Sequence, residues 1–263
     1  MTDSNGRTPS ASLRGRLSEV YFPALVTAQS EALAHRLGRR AIVDDPFFGR
    51  SSGLADLRRD LAEMARWLTA RDAAFECFGL VTGSDRDVTE GTLALSLAGE
   101  RVRIPVGLVA ERRRERAIEL RAYYAIERLR DPPNPRRETL SSDVIAVPPP
   151  VAAHIDACAR GDVSGAIASF ELGGTVRDAR GVTHAKLEPS GGPLAGYYQR
   201  LLSDGGIELL ANARADDGRT CALEYTVVKL RGQDVAPRPG LAVYDRGESG
   251  LLRTIRVYDD VGP

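Results

Sequence analysis

The chain has 263 residues, 43% of them hydrophobic and 27% charged, and its 36 basic and 36 acidic side chains leave no formal net charge. That length suits two domains of roughly 115–130 residues each. The charge balance removes the electrostatic warrant for a nucleic-acid or anionic-membrane partner. In chain order, residues 1–12 are polar and read as a disordered tail. From Leu13 the spacing is helical, with Leu17, Val20 and Tyr21 on one face and Leu25, Val26, Leu33 and Leu37 continuing beyond Pro23. The pair Ile42 and Val43 then runs as a short strand into Asp44 and Asp45, and Pro46, Phe47, Phe48 and Gly49 turn the chain. A helix follows from Leu54 to Leu68, with Leu57, Leu61 and Met64 in its apolar stripe and Trp67 nearby.

Three segments of strand character come next: AAFECFGLV, TLALSL and RVRIPVGLVAE. The run ERRRER reads as a solvated turn, and AIELRAYYAIERL closes the set. Residues 130–149 carry clustered prolines and read as a linker. The plan then repeats over 150–263: two helices around a Gly-Asp turn, TVRDARG, a helix GPLAGYYQRLL, and four strands. Asp178 follows Asp45 by 133 positions, Glu208 follows Glu76 by 132, and Gly240 follows Gly107 by 133. The chain is thus expected to be α+β, with two tandem cone-shaped domains, 13–129 and 150–263. In each, a curved and mostly antiparallel sheet wraps around helices and leaves an apolar mouth suited to a small hydrophobic ligand. The three cysteines stand apart without metal-type spacing, and no stretch approaches the ~20 apolar residues of a membrane span. A cytoplasmic protein without disulfide or metal is expected.

The segment GDVSGAIASFELGGTVRD resembles the opening of nuclear transport factor 2-like proteins, and within them the ketosteroid isomerase-like group. AIVDDPFFG matches that group's V-x-D-P-x-G element, and TVRDARG matches it with Ala179 in place of the proline. The isomerases of the group pair an Asp base with an oxyanion hole made by a Tyr and a protonated Asp. That second acid is absent from the corresponding strands, RIPVGLVA and APRPGLAVY. A closer resemblance is to the tandem epoxide hydrolase/cyclases of polyether ionophore biosynthesis, two such cups fused, each with an Asp at the turn and a Glu about thirty residues on. The resemblance implies Asp45 with Glu76, and Asp178 with Glu208, as two acid–base pairs.

Two carboxyls suffice for that reaction. One takes the proton of the attacking hydroxyl, and the other supplies a proton to the epoxide oxygen, so no cofactor is expected. Acids sharing an apolar pocket titrate apart, which yields one base and one acid near neutral pH. Tyr21, Trp67, His154, Tyr197 and Tyr198 are the candidate substrate-binding residues, each also readable as core. Glu224 reads as solvent-facing, and Arg71 and Arg177 as surface residues. The expected partner is a small polyepoxide polyketide, with the two domains paired in an intramolecular pseudo-dimer or the chain in a homodimer. A ketosteroid isomerase-like or aldol-type polyketide cyclase, or a non-catalytic ligand-binding pair, are the competing readings.

Overall fold

The computed structural model describes residues 15–112, 118–126, 129 and 145–259. The expected tail, most of the linker and most of the ERRRER turn lie outside these residues. In the first domain the helices α1 (Leu17–Val26), α2 (Ser30–Leu37) and α3 (Leu54–Thr69) pack against six strands. These are β1 (Ile42–Asp45), β2 (Gly49–Ser52), β3 (Ala74–Thr82), β4 (Arg86–Leu97), β5 (Glu100–Arg112) and β6 (Ile118–Tyr123), in the order β2-β1-β6-β5-β4-β3. Only β1 and β6 run parallel. Helix α3 forms because Leu57, Leu61, Met64, Ala65 and Leu68 recur at helical spacing, and all five are buried against the sheet. Burying each of the larger ones is worth ~1.5–3 kcal/mol.

The second domain repeats this plan. Helices α4 (Pro149–Ala159) and α5 (Val163–Ala168) precede β7 (Phe170–Arg177) and β8 (Thr183–Ala185). Helix α6 (Pro193–Leu202) follows, then β9 (Ile207–Asp216), β10 (Thr220–Leu230), β11 (Gln233–Arg246) and β12 (Leu252–Asp259). The order β8-β7-β12-β11-β10-β9 matches the first sheet strand for strand, and β7 pairs with β12 in parallel. The Gly-Asp turn is built as its sequence suggests: the Asp162 side chain accepts from the Gly165 N–H at 2.8 Å and caps α5. The chain is α+β, two tandem domains each with a curved sheet wrapped around helices.

The domains meet through the outer faces of their sheets. Val81, Val88, Val109 and Tyr123 of the first pack against Ala222, Leu241, Val243 and Tyr258 of the second. Two ion pairs, one fully and one largely buried, flank this core in matching positions. Arg121 of β6 reaches both oxygens of Glu224 at 2.6 and 2.8 Å, and Arg256 of β12 reaches both oxygens of Glu90 at 2.6 and 2.9 Å. Each glutamate also accepts a tyrosine hydroxyl at 2.7 Å, Tyr123 on Glu224 and Tyr258 on Glu90. Glu224 is therefore 1% exposed, not solvent-facing, because strand alternation turns it toward the partner domain. These pairs align Arg121 with Arg256 and Glu90 with Glu224, so Gly107 aligns with Leu241 and not with Gly240. Gly107 faces the interface, where the Leu241 side chain fills the space a Cβ would need. Gly240 faces the interior of its own domain, where a Cβ would collide with Asp259 and Tyr225.

Candidate active site

Asp45 ends β1 inside the first domain and is 1% exposed. Its Oδ1 accepts the N–H groups of Phe47 and Phe48 at 2.9 and 3.0 Å and the Tyr124 hydroxyl at 2.6 Å. The aromatic turn folds over it: Phe47 packs on Phe48 and Trp67, with ring centroids 4.8 and 4.9 Å apart. The Arg71 guanidinium lies over the Trp67 ring, 3.9 Å from its centroid. Tyr21 is fully buried, with its hydroxyl against the Met64 sulfur. Phe75 stacks on Phe22 and fills the space over Gly91. Asp45, Tyr21 and Trp67 thus sit in packed surroundings.

The structure does not bring either glutamate to its aspartate. Glu76 lies on β3, separated from β1 by β4, β5 and β6. Its side chain is 72% exposed and pairs with Arg103 at 3.2 Å. A bulge between Cys77 and Gly79 breaks the strand's alternation, so Glu76, opposite Thr92, turns outward while Leu80, opposite Thr89, turns to the other face. Glu208 pairs with Lys229 at 2.6 Å and is 44% exposed. Its neighbours Ile207 and Leu209 point inward, so alternation turns Glu208 out.

Inside the second domain an open, mainly apolar cleft encloses about 1130 Å³, solvent at its mouth included. His154, Tyr197 and Tyr198 line it, and so do two acids, Asp178 and Asp259. Asp178 follows β7, with its Oδ1 accepting the N–H groups of Arg180 and Val182 at 3.1 and 2.9 Å. Its Oδ2 lies 3.3 Å from His184 Nε2, and the His184 ring stacks on Tyr197 at 4.5 Å. These contacts fix the Asp178 side chain at the cleft.

Asp259 ends β12, in phase with Ile255 and Val257, which also line the cleft. Burial pushes its carboxyl up from 3.8 to about 7, against the opposing pull of the Tyr225 hydroxyl bonded to it and of the Arg238 charge. The acid is therefore substantially protonated near neutral pH. Tyr197 feels both acids, and burial together with their negative charge raises its hydroxyl, which stays a neutral donor. Burial lowers His154 to about 4. Its Nδ1 meets the Ser169 hydroxyl at 2.9 Å, and because that hydroxyl donates to the Ala166 carbonyl at 2.6 Å, we assign the proton to Nδ1. Nε2 then accepts from the Tyr198 hydroxyl at 3.2 Å. Cys158, beside it, is driven up to about 12 by burial and is an unreactive thiol.

The two cups differ at one aligned position. The residue after Tyr123 is Tyr124, which bonds Asp45, whereas the residue after Tyr258 is Asp259. A second difference supports it: Gly91 of the first domain aligns with Tyr225 of the second, and Phe75 fills the vacated space. In the first cup Asp45 is bonded by Tyr124, and in the second Asp178 and Asp259 line one cleft. Sequence reasoning passed over Asp259, His184 and Tyr225. For Asp259 the signal was present, an acid in phase with inward-facing apolar residues of the last strand. Among the described residues no group of three or more His, Cys, Asp or Glu is arranged to hold a metal ion, and no helix is long and apolar enough to cross a membrane.

No protein-family model matches the chain, and no curated protein matches it. Solved structures do match, each over about one domain's worth of residues. A nuclear transport factor 2-like protein of unknown function from Cytophaga hutchinsonii is 12% identical, covers 47% of this chain and 93% of its own, and gives a TM-score of 0.34. A protein from Catenulispora acidiphila with a ketosteroid isomerase-like fold, solved with trimethylamine, is 14% identical over 41% of this chain and 85% of its own, with a TM-score of 0.35. An LEH-like epoxide hydrolase of Mycobacterium tuberculosis is 23% identical over 42% of this chain and 77% of its own, with a TM-score of 0.34.

Proposed function

We propose that the second-domain cleft opens an epoxide on an apolar, polyketide-like substrate by attack of the substrate's own hydroxyl, forming a cyclic ether. One observation carries this reading: Asp178 and Asp259 face the same apolar cleft, and burial holds Asp259 near 7. The hydroxyl oxygen forms a bond to one epoxide carbon while that carbon's bond to the epoxide oxygen breaks. Asp178 takes the hydroxyl proton, and Asp259 gives its proton to the leaving oxygen. The Asp178 proton then returns to Asp259 through solvent at the mouth, so the cycle balances without a co-reactant. Tyr197 is a neutral donor beside the developing alkoxide, Tyr225 donates to Asp259, and the apolar walls hold the chain folded for ring closure. In this reading Asp45 orders the turn at Phe47 and Phe48, and the exposed Glu76 and Glu208 stand outside the chemistry.

A second reading has its own observation. A protonated Asp and a Tyr, opposite an Asp base, also form the oxyanion hole of isomerases of this fold. Asp259, with Tyr225 donating to it, would supply the acid that β5 and β11 lack. The test is product analysis after incubating the protein with an apolar epoxy alcohol and, separately, with a β,γ-unsaturated ketone. A cyclic ether from the first supports epoxide opening. An isomerised enone with no ether supports the second reading and excludes the first.

A further inference from the structure

Both cleft acids directly follow residues that point the other way. Arg177 precedes Asp178 at the end of β7, and Tyr258 precedes Asp259 near the end of β12. Alternation therefore turns Arg177 and Tyr258 toward the first domain while the acids face the cleft. Arg177 donates to the Tyr258 hydroxyl, whose own proton goes to Glu90 of β4 at 2.7 Å. The Arg177 guanidinium also lies over the ring of Phe78 on β3, 5.0 Å from its centroid, and 5.3 Å from the Tyr258 ring. Phe78 is 48% exposed, so burial does not account for an aromatic there. The first domain touches the same loop again at Gly181, where a Cβ would stand 3.3 Å from Pro105 of β5. Arg177 is thus not a loose surface residue: it is a clasp between the domains.

We propose that the first domain is a brace for the second domain's site, with Phe78 holding the Arg177–Tyr258 pair and so setting the spacing of Asp178 and Asp259. Phe78 and Arg177 are positioning residues, since neither faces the cleft. The kinetic consequence rests on the proposed acid–base function; the structural consequence does not. Proton transfer requires hydrogen-bond reach, and small displacements of a positioned group lower the rate steeply. An apolar ligand held by the cleft walls would barely sense the change.

The test uses the full chain with Phe78→Ala and Phe78→Tyr. Because Phe78 is exposed, Phe78→Ala should fold. Hydrogen exchange is read at the Arg180 and Val182 amides, which donate to Asp178. The brace predicts exchange there about 10-fold faster in Phe78→Ala, unchanged exchange in α6, and recovery in Phe78→Tyr. On an apolar epoxy alcohol, kcat should fall about 10-fold with KM within about twofold, and Phe78→Tyr should restore it. Unchanged exchange at both amides overturns the brace, and so does acceleration spread evenly through the second domain. Faster loop exchange with unaltered kcat overturns the positioning role. Faster loop exchange in a protein inert to the epoxy alcohol supports the brace and overturns the epoxide reading alone.

Discussion

Asp259→Asn removes a buried acid whose protonation is coupled to folding. In the folded chain the group titrates at about 7 instead of 3.8, chiefly because burial penalises its charged form. The groups packed around it are the Tyr225 hydroxyl on β10, Arg238 on β11 and Tyr197 on α6. Between pH 4 and pH 7 the unfolded chain has lost this proton and the folded chain keeps it. Stability contributed by this group therefore falls as pH rises through that window, by up to ~1.4 kcal/mol per pH unit. The full span is ~4 kcal/mol as an upper bound, and the cleft's contact with solvent reduces it to ~2–4 kcal/mol. Asparagine keeps the shape of the protonated acid and can still accept from Tyr225, but it does not titrate. Urea unfolding of both proteins from pH 4 to pH 8 isolates the effect, because every other group titrates in both. The variant should gain on the parent as pH rises and level off above about 7. A difference that stays flat across the window would refute the reasoning.

Other outcomes follow from named contacts. Arg238→Ala removes a positive charge that favours ionised Asp259, so the carboxyl moves higher and the alkaline limb of the rate profile shifts to higher pH. Glu224→Gln leaves the fully buried Arg121 without its main counter-charge and should cost ~3–5 kcal/mol in chemical denaturation. Asp45→Ala leaves the Phe47 and Phe48 amides without their acceptor and should cost ~1–3 kcal/mol in the same measurement. The folded fraction should turn substrate over at the parent rate. Gly240→Ala forces a Cβ between Asp259 and Tyr225, and the alkaline limb set by Asp259 should move or vanish in the rate profile.

The repeat was legible because apolar periodicity and spaced matches such as Asp45 and Asp178 survive in both halves. The helices around Leu57–Leu68 and Pro193–Leu202 and the long strands could be read from their periods alone. The short edge strands Gly49–Ser52 and Thr183–Ala185 could not, since neither carries a period long enough to detect. The faces of the strands were the harder matter. Alternation tells which residues share a face but not which face is inside. Even the shared face fails at Glu76: simple alternation puts it with Leu80, but the bulge between Cys77 and Gly79 turns the two to opposite faces. The outer faces of both sheets are apolar because they bury each other, which makes inside and outside look alike in sequence. Glu224 and Arg177 were misjudged for the same reason. Their partners lie 103 and 99 residues away in the chain, at Arg121 and Phe78. Asp259 was missed because the resemblance pointed to a Glu about thirty residues after each Asp, whereas the second acid of the cleft ends the last strand.

The central claim is that Asp178 and Asp259 exchange protons with one substrate in the second-domain cleft. Single-turnover rates on one apolar epoxy alcohol, compared among the parent, Asp178→Asn, Asp259→Asn and Asp45→Asn, test it most directly. The account predicts losses of ~10²–10⁴-fold for the two cleft variants and a near-parental rate for folded Asp45→Asn. Parental turnover in Asp178→Asn or Asp259→Asn, or loss confined to Asp45→Asn, would contradict it.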